Sequence, residues 1–118
     1  MKNVRDVEKL KLPELYGKSL KTYIDIISKL DYVQEIYLFG SCARGSVHEQ
    51  SDIDLMVLVD EGLEEFNTAV KIGKNLSGVR DIPLDMLVNQ ITTFYGIDVK
   101  ELTIQKTILE DGVLLYVK

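Results

Sequence analysis

The chain has 118 residues, 46% of them apolar and 28% charged, with a formal net charge of −5. That is enough for one packed core and too little for two. The acidic balance, with no basic run, argues against sequence-independent nucleic-acid binding, which draws on Lys and Arg neutralising phosphates.

Other features set the compartment. Cys42 is the one cysteine, so no internal disulfide forms, which fits a reducing environment. Met1 to Leu12 alternates charged and apolar residues without a hydrophobic signal core. No apolar run has the length of a membrane span. The expectation is one domain over residues 1–118, cytoplasmic, with no membrane and no direct nucleic-acid contact.

A first helix is predicted from about Pro13 to Leu30. Proline suits a first turn, and Leu15, Leu20, Tyr23, Ile24, Ile27 and Leu30 recur at helical spacing. Asp31 and Gln34 frame a break, and Glu35 to Phe39 reads as a short buried strand. Gly40 to Ser51 is polar and reads as a loop with at most one helical turn. Asp52 to Val59 is the clearest strand, an apolar run that opens on two acids. Leu63 to Ser77 fits a helix with Leu63, Phe66, Val70 and Leu76 as buried candidates, and Gly78 stands where a C-cap glycine would. Val79 to Val88 is a third strand in which Pro83 signals an irregularity or an edge. Asp98 is a candidate N-cap for a last helix ending before Gly112, and Val113 to Val117 is a final strand or extended tail.

This order predicts an α/β (α+β) protein with a small mixed sheet and helices packed against it. The first two strands, joined by a loop, should be antiparallel. The second and third, joined through a helix, should be parallel.

The chemistry concentrates at two places. Side chains two apart on a strand share a face, so Asp52 and Asp54 project together while Ile53 and Leu55 enter the opposite layer. Two carboxylates beside an apolar strand repel each other and lose hydration, a poor arrangement for folding unless cations compensate. Mg²⁺ or Mn²⁺ does so with oxygen ligands and completes its shell with substrate phosphates. Two such ions, roughly 3.5–4 Å apart, can hold the attacking and leaving oxygens of an in-line displacement. Asp85 is a further acid in the apolar run Ile82 to Val88. If its strand neighbours the second, it joins the same face and can help take an acceptor hydroxyl's proton.

Gly40-Ser41 closes the first strand, where glycine lets backbone approach a phosphate and serine offers a hydroxyl beside N–H donors. The hairpin-like pairing would bring this cradle beside Asp52. Arg44 either reaches a phosphate oxygen or ties down the loop.

Gly40-Ser41, then residues 42–51, then Asp52-Ile53-Asp54 resembles the signature of the DNA polymerase β-like nucleotidyltransferase superfamily. Gly40-Ser41-Cys42-Ala43-Arg44-Gly45 through Ser51-Asp52-Ile53-Asp54-Leu55 is similar to its small prokaryotic branch, the minimal nucleotidyltransferases, and Asp85 matches the third carboxylate of that family. The resemblance implies Mg²⁺-dependent transfer of a nucleoside monophosphate, usually AMP from ATP, with release of pyrophosphate. Asp52, Asp54 and Asp85 would be the catalytic metal ligands for two ions, and Gly40, Ser41 and Arg44 the nucleotide-binding set. Members this short often pair with a separate HEPN-domain protein as toxin–antitoxin modules, in which the minimal nucleotidyltransferase is the antitoxin and in some cases adenylylates a tyrosine of the toxin. The HEPN ribonuclease pattern of Arg and His is absent here, since Arg44 lies too close before His48, the one histidine; such a partner would be another chain. Homo- and hetero-oligomers both stay open.

Two other functions compete: a non-catalytic antitoxin that neutralises its partner by binding, and an aminoglycoside-type small-molecule nucleotidyltransferase, for which the chain leaves little room. Among the remaining residues, Cys42 reads as a small packed side chain and His48 as solvated. Tyr16, Tyr23, Tyr32 and Tyr37 read as core or interface.

Overall fold

The computed structural model describes residues 3–48, 50–79, 82–96 and 103–118. A single 3-10 turn (Val7–Lys9), capped by Asp6, precedes helix α1 (Glu14–Ile27). Strand β1 (Val33–Phe39) runs into a short helix α2 (Gly40–Arg44), and strand β2 (Ile53–Val59) follows. Helix α3 (Glu65–Asn75) leads to strand β3 (Leu84–Gln90), then come helices α4 (Ile91–Tyr95) and α5 (Ile104–Asp111) and strand β4 (Val113–Val117). The four strands form one sheet in the order β3-β2-β1-β4. β1 pairs antiparallel with β2 and with β4, and β2 pairs parallel with β3. Both expected strand directions hold, and β4 is a true strand.

Each side of the sheet buries its own apolar set, as strand alternation requires. On one side Leu20, Ile24 and Ile27 of α1 and Ile72 of α3 meet Ile36, Leu38, Ile53, Leu55 and Val57. On the other, Phe94 of α4 and Ile108 of α5 cover Tyr37, Met56, Leu58 and Leu114. Each such side chain, fully buried, stabilises the fold by about 1.5–3 kcal/mol relative to its exposed form. Among the described residues no helix is long and apolar enough to cross a membrane.

Several boundaries and faces depart from expectation. α1 stops at Ile27, and Leu15 is 58% exposed because it lies about 100° round the helix from buried Tyr16. In α3 the inward residues are Thr68 and Ile72, while Phe66 is 72% exposed and Val70 43%. Thr68 can be buried because its hydroxyl donates to the Glu64 carbonyl at 2.7 Å. Phe66, two residues earlier, then points about 200° away. The third strand begins at Leu84, with Pro83 just outside it, and β3 is an edge strand, the place a nearby proline suggests. Asp98 lies outside the described residues; the last helix starts at Ile104, where the Thr103 side chain accepts from Lys106 N–H at 3.1 Å. α4 was not expected.

Candidate active site

The register of β1 against β2 places Phe39 opposite Asp54, so the chain leaving β1 turns directly over that carboxylate. Gly40 makes the turn at φ +72°, in the left-handed region that other residues rarely occupy. A Cβ added there would lie 2.2 Å from Asp54 Oδ2. Glycine is thus favoured by backbone conformation, and a side chain there would also displace the Asp54 carboxylate. Ser41 follows at the start of α2, half-buried, and Gly45 at φ +76° ends the helix. Cys42 is buried, its thiol donating to the Asp52 carbonyl at 3.6 Å, which ties α2 to the start of β2. Burial pushes that thiol up, and Asp54 adds to the effect, so Cys42 is packing rather than a nucleophile.

Asp54 and Asp85 are register partners across the parallel β2–β3 pair. Adjacent strands lie about 4.7–4.9 Å apart, so the two carboxylates stand side by side on the sheet face shared with Met56 and Leu58. Leu87, on that face of β3, is 37% exposed and Asp85 is exposed, so the face is open to solvent there. Asp52 precedes β2 and is exposed; Asp54 is half-buried. Burial raises the Asp54 carboxyl above its ordinary range, with Asp85 and then Asp52 adding repulsion, while Arg44 pulls it back down. Asp85, Asp52 and Arg44 therefore all act electrostatically on Asp54.

That donor set suits a hard divalent cation: oxygen ligands alone, mutually repelling. Neither ion pair found among the described residues, Lys21–Glu8 and Lys106–Glu110, neutralises any of the acids. No three His, Cys, Asp or Glu side chains are already closed around one point among the described residues. Register makes Asp54 and Asp85 neighbours, and Asp52 stands two residues ahead of Asp54. His48 is exposed and its Nδ1 accepts from Gln50 N–H at 3.2 Å, apart from the acids.

The sequence missed one set of groups at the site. The α1 tyrosines, expected as core or interface, are buried, but the Tyr16 hydroxyl also reaches the Ser51 carbonyl beside Asp52 at 2.6 Å. Hydroxyls recurring within an otherwise apolar helical stripe were the available signal.

A model of the nucleotidyltransferase domain matches residues 20–115. The chain belongs to that family. As a nucleotidyltransferase it has close curated relatives. A Methanocaldococcus jannaschii protein, provisionally named a protein adenylyltransferase, is 36% identical over 77 residues, 64% of this chain and 77% of that one. The protein adenylyltransferase MntA of Shewanella oneidensis is 35% identical over 71 residues, covering 60% of this chain but only 48% of MntA. A crystal structure of a nucleotidyltransferase from Sulfolobus solfataricus superposes with a TM-score of 0.62 at 20% identity, over 100% of this chain and 93% of that one. A toxin–antitoxin crystal structure with AMP-PNP gives 0.56 at 21% identity, over 86% and 73%. These superpositions show a shared fold, the expected small mixed sheet with helices.

Proposed function

We propose that this nucleotidyltransferase moves AMP from ATP to a hydroxyl on a separate protein, a tyrosine of a HEPN-type toxin, and so acts as an antitoxin. One observation carries the reading: Asp54 and Asp85 are side by side in register, with the left-handed turn at Gly40 folded closely over the Asp54 carboxylate. The choice of a protein acceptor draws support from relatives named as protein adenylyltransferases and from the fold shared with a toxin–antitoxin structure that holds AMP-PNP.

Gly40 and Ser41 would seat the triphosphate, where backbone comes close and a hydroxyl is at hand, and Arg44 would contact a phosphate oxygen. Asp52 and Asp54, joined by Asp85, would hold Mg²⁺ ions, which when bound neutralise charge on the phosphates. The acceptor oxygen attacks the α-phosphorus, the bond to the bridging oxygen breaks, and pyrophosphate leaves. Asp85, exposed on the open edge strand, would accept the hydroxyl proton, a role worth on the order of 10²–10⁴-fold.

Incubation with labelled ATP, Mg²⁺ and the product of the adjoining gene should label that partner. Absence of label with the wild type, or equal label with Asp52→Ala/Asp54→Ala, would sink the reading. If the double variant still protects cells from the partner, neutralisation is by binding alone.

A further inference from the structure

Helix α1 reaches both acid-bearing strand starts through hydroxyl groups on its buried side. Tyr16 Oη donates toward two backbone carbonyls, His48 at 2.9 Å and Ser51 at 2.6 Å, so one proton lies between two acceptors. Ser51 immediately precedes Asp52. It is itself locked to His48, its N–H donating to the His48 carbonyl at 2.9 Å and its Oγ accepting from His48 N–H at 2.9 Å. The turn before the first acid is therefore closed and pinned from beneath.

The same helix holds the other strand start. Ser19 Oγ accepts from Ile82 N–H at 3.2 Å, and Tyr23 Oη donates to the Ile82 carbonyl. Both backbone groups of one residue, just ahead of β3 and Asp85, are thereby fixed. Next along, the Pro83 carbonyl accepts from Ile53 N–H at 3.0 Å, which joins the two starts to each other.

Tyr16, Ser19 and Tyr23 are spaced i, i+3, i+7 and so form one stripe of the helix. Their exposures are 6%, 0% and 5%. Phenylalanine and alanine would fill almost the same volume; the hydroxyls add direction. We propose that these three are positioning residues: α1 is a ruler that sets Ser51–Asp52 against Ile82–Asp85, so that the backbone holds Asp52, Asp54 and Asp85 as neighbours from which a divalent cation can draw oxygen ligands. The inference rests on the metal-site reading above.

The test uses the whole chain, with Mn²⁺ as the probe followed by electron paramagnetic resonance, and amide hydrogen exchange as a second readout. Tyr116→Phe is the control, because it deletes a hydroxyl that donates to the Ser28 carbonyl at 3.3 Å beside Ile36, away from the acids. Tyr16→Phe and Tyr23→Phe should each weaken Mn²⁺ binding about tenfold, as loss of an outer-shell support does. Exchange should quicken at residues 50–53 in the first and at Ile82, Leu84 and Asp85 in the second, with Tyr116→Phe doing neither. Equal Mn²⁺ affinity in all four proteins overturns the inference. A wild type that binds no Mn²⁺ instead removes the metal-site reading. Exchange then decides alone, and rates that match the Tyr116→Phe control overturn the ruler. Should Tyr16→Phe not fold, Ser19→Ala and Tyr23→Phe carry the test through the Asp85 side.

Discussion

Asp54 carries a charge that folding works against. Its carboxyl is raised above the ordinary value of 3.8 by burial first, then by Asp85 and Asp52. Below that ordinary value the group is neutral in both states and its contribution to stability is full. As pH rises, the unfolded chain ionises first, so stability is lost until the folded value is passed. Without divalent metal, Asp54→Asn should therefore melt at a higher temperature than wild type near neutrality. The difference should vanish at the acid end, and transfer activity should be lost. Melting temperatures of the two proteins across about pH 3 to 7 check this, and a constant difference would contradict it. The Gly40, Ser41, Asp52 and Asp54 neighbourhood was legible in the sequence because the residues lie close along the chain and their spacing survives folding. Glu35 was not: it is buried and accepts from the Tyr95 hydroxyl, which is 2.8 Å from the Tyr37 hydroxyl. Its partners arrive from distant segments, so no local pattern marks it.

Among the elements, strand directions followed from what joins them, since a loop permits an antiparallel pair and a helical crossover a parallel one. Helix faces were harder to read. Apolar residues occur on both sides of α3, and spacing alone favoured Phe66 and Val70 over Thr68 and Ile72. Contact with the sheet decides the matter in favour of Ile72, which is fully buried. Phe66→Ser should change unfolding free energy by no more than about 0.5 kcal/mol, the usual range for surface sites. Ile72→Ala should cost about 2–5 kcal/mol. Urea midpoints of the two variants check the ranking, and a larger loss for Phe66→Ser would reverse the assignment of faces. α4 escaped notice because it is a single short turn, Ile91–Tyr95, whose one buried side chain is Phe94. Such a segment has too few turns to show a period.

Over the whole molecule, the site is an agreement among separate parts: the end of β1, the start of β2, the start of β3, and α1 beneath them. A site that leaves its acids uncompensated should bind nucleotide together with divalent metal or poorly. ATP with Mg²⁺ should stabilise the fold by about 2.7 kcal/mol at a hundredfold excess over the dissociation constant. ATP with a chelator should give almost none, and thermal melts that shift equally in both conditions would contradict the proposed site.

The sequence by itself determined which residues form the candidate site around Asp54. Residue identity and short spacing put Gly-Ser at the end of β1 and two aspartates at the start of β2. Only the tertiary structure decided that Asp85 pairs with Asp54, that Gly40 turns in the left-handed region over the Asp54 carboxylate, and that hydroxyls of α1 reach backbone ahead of both acid-bearing strands. Each of those facts is a relation between separate elements of the fold. Such relations are set by sheet register and helix packing, which no single stretch of sequence encodes.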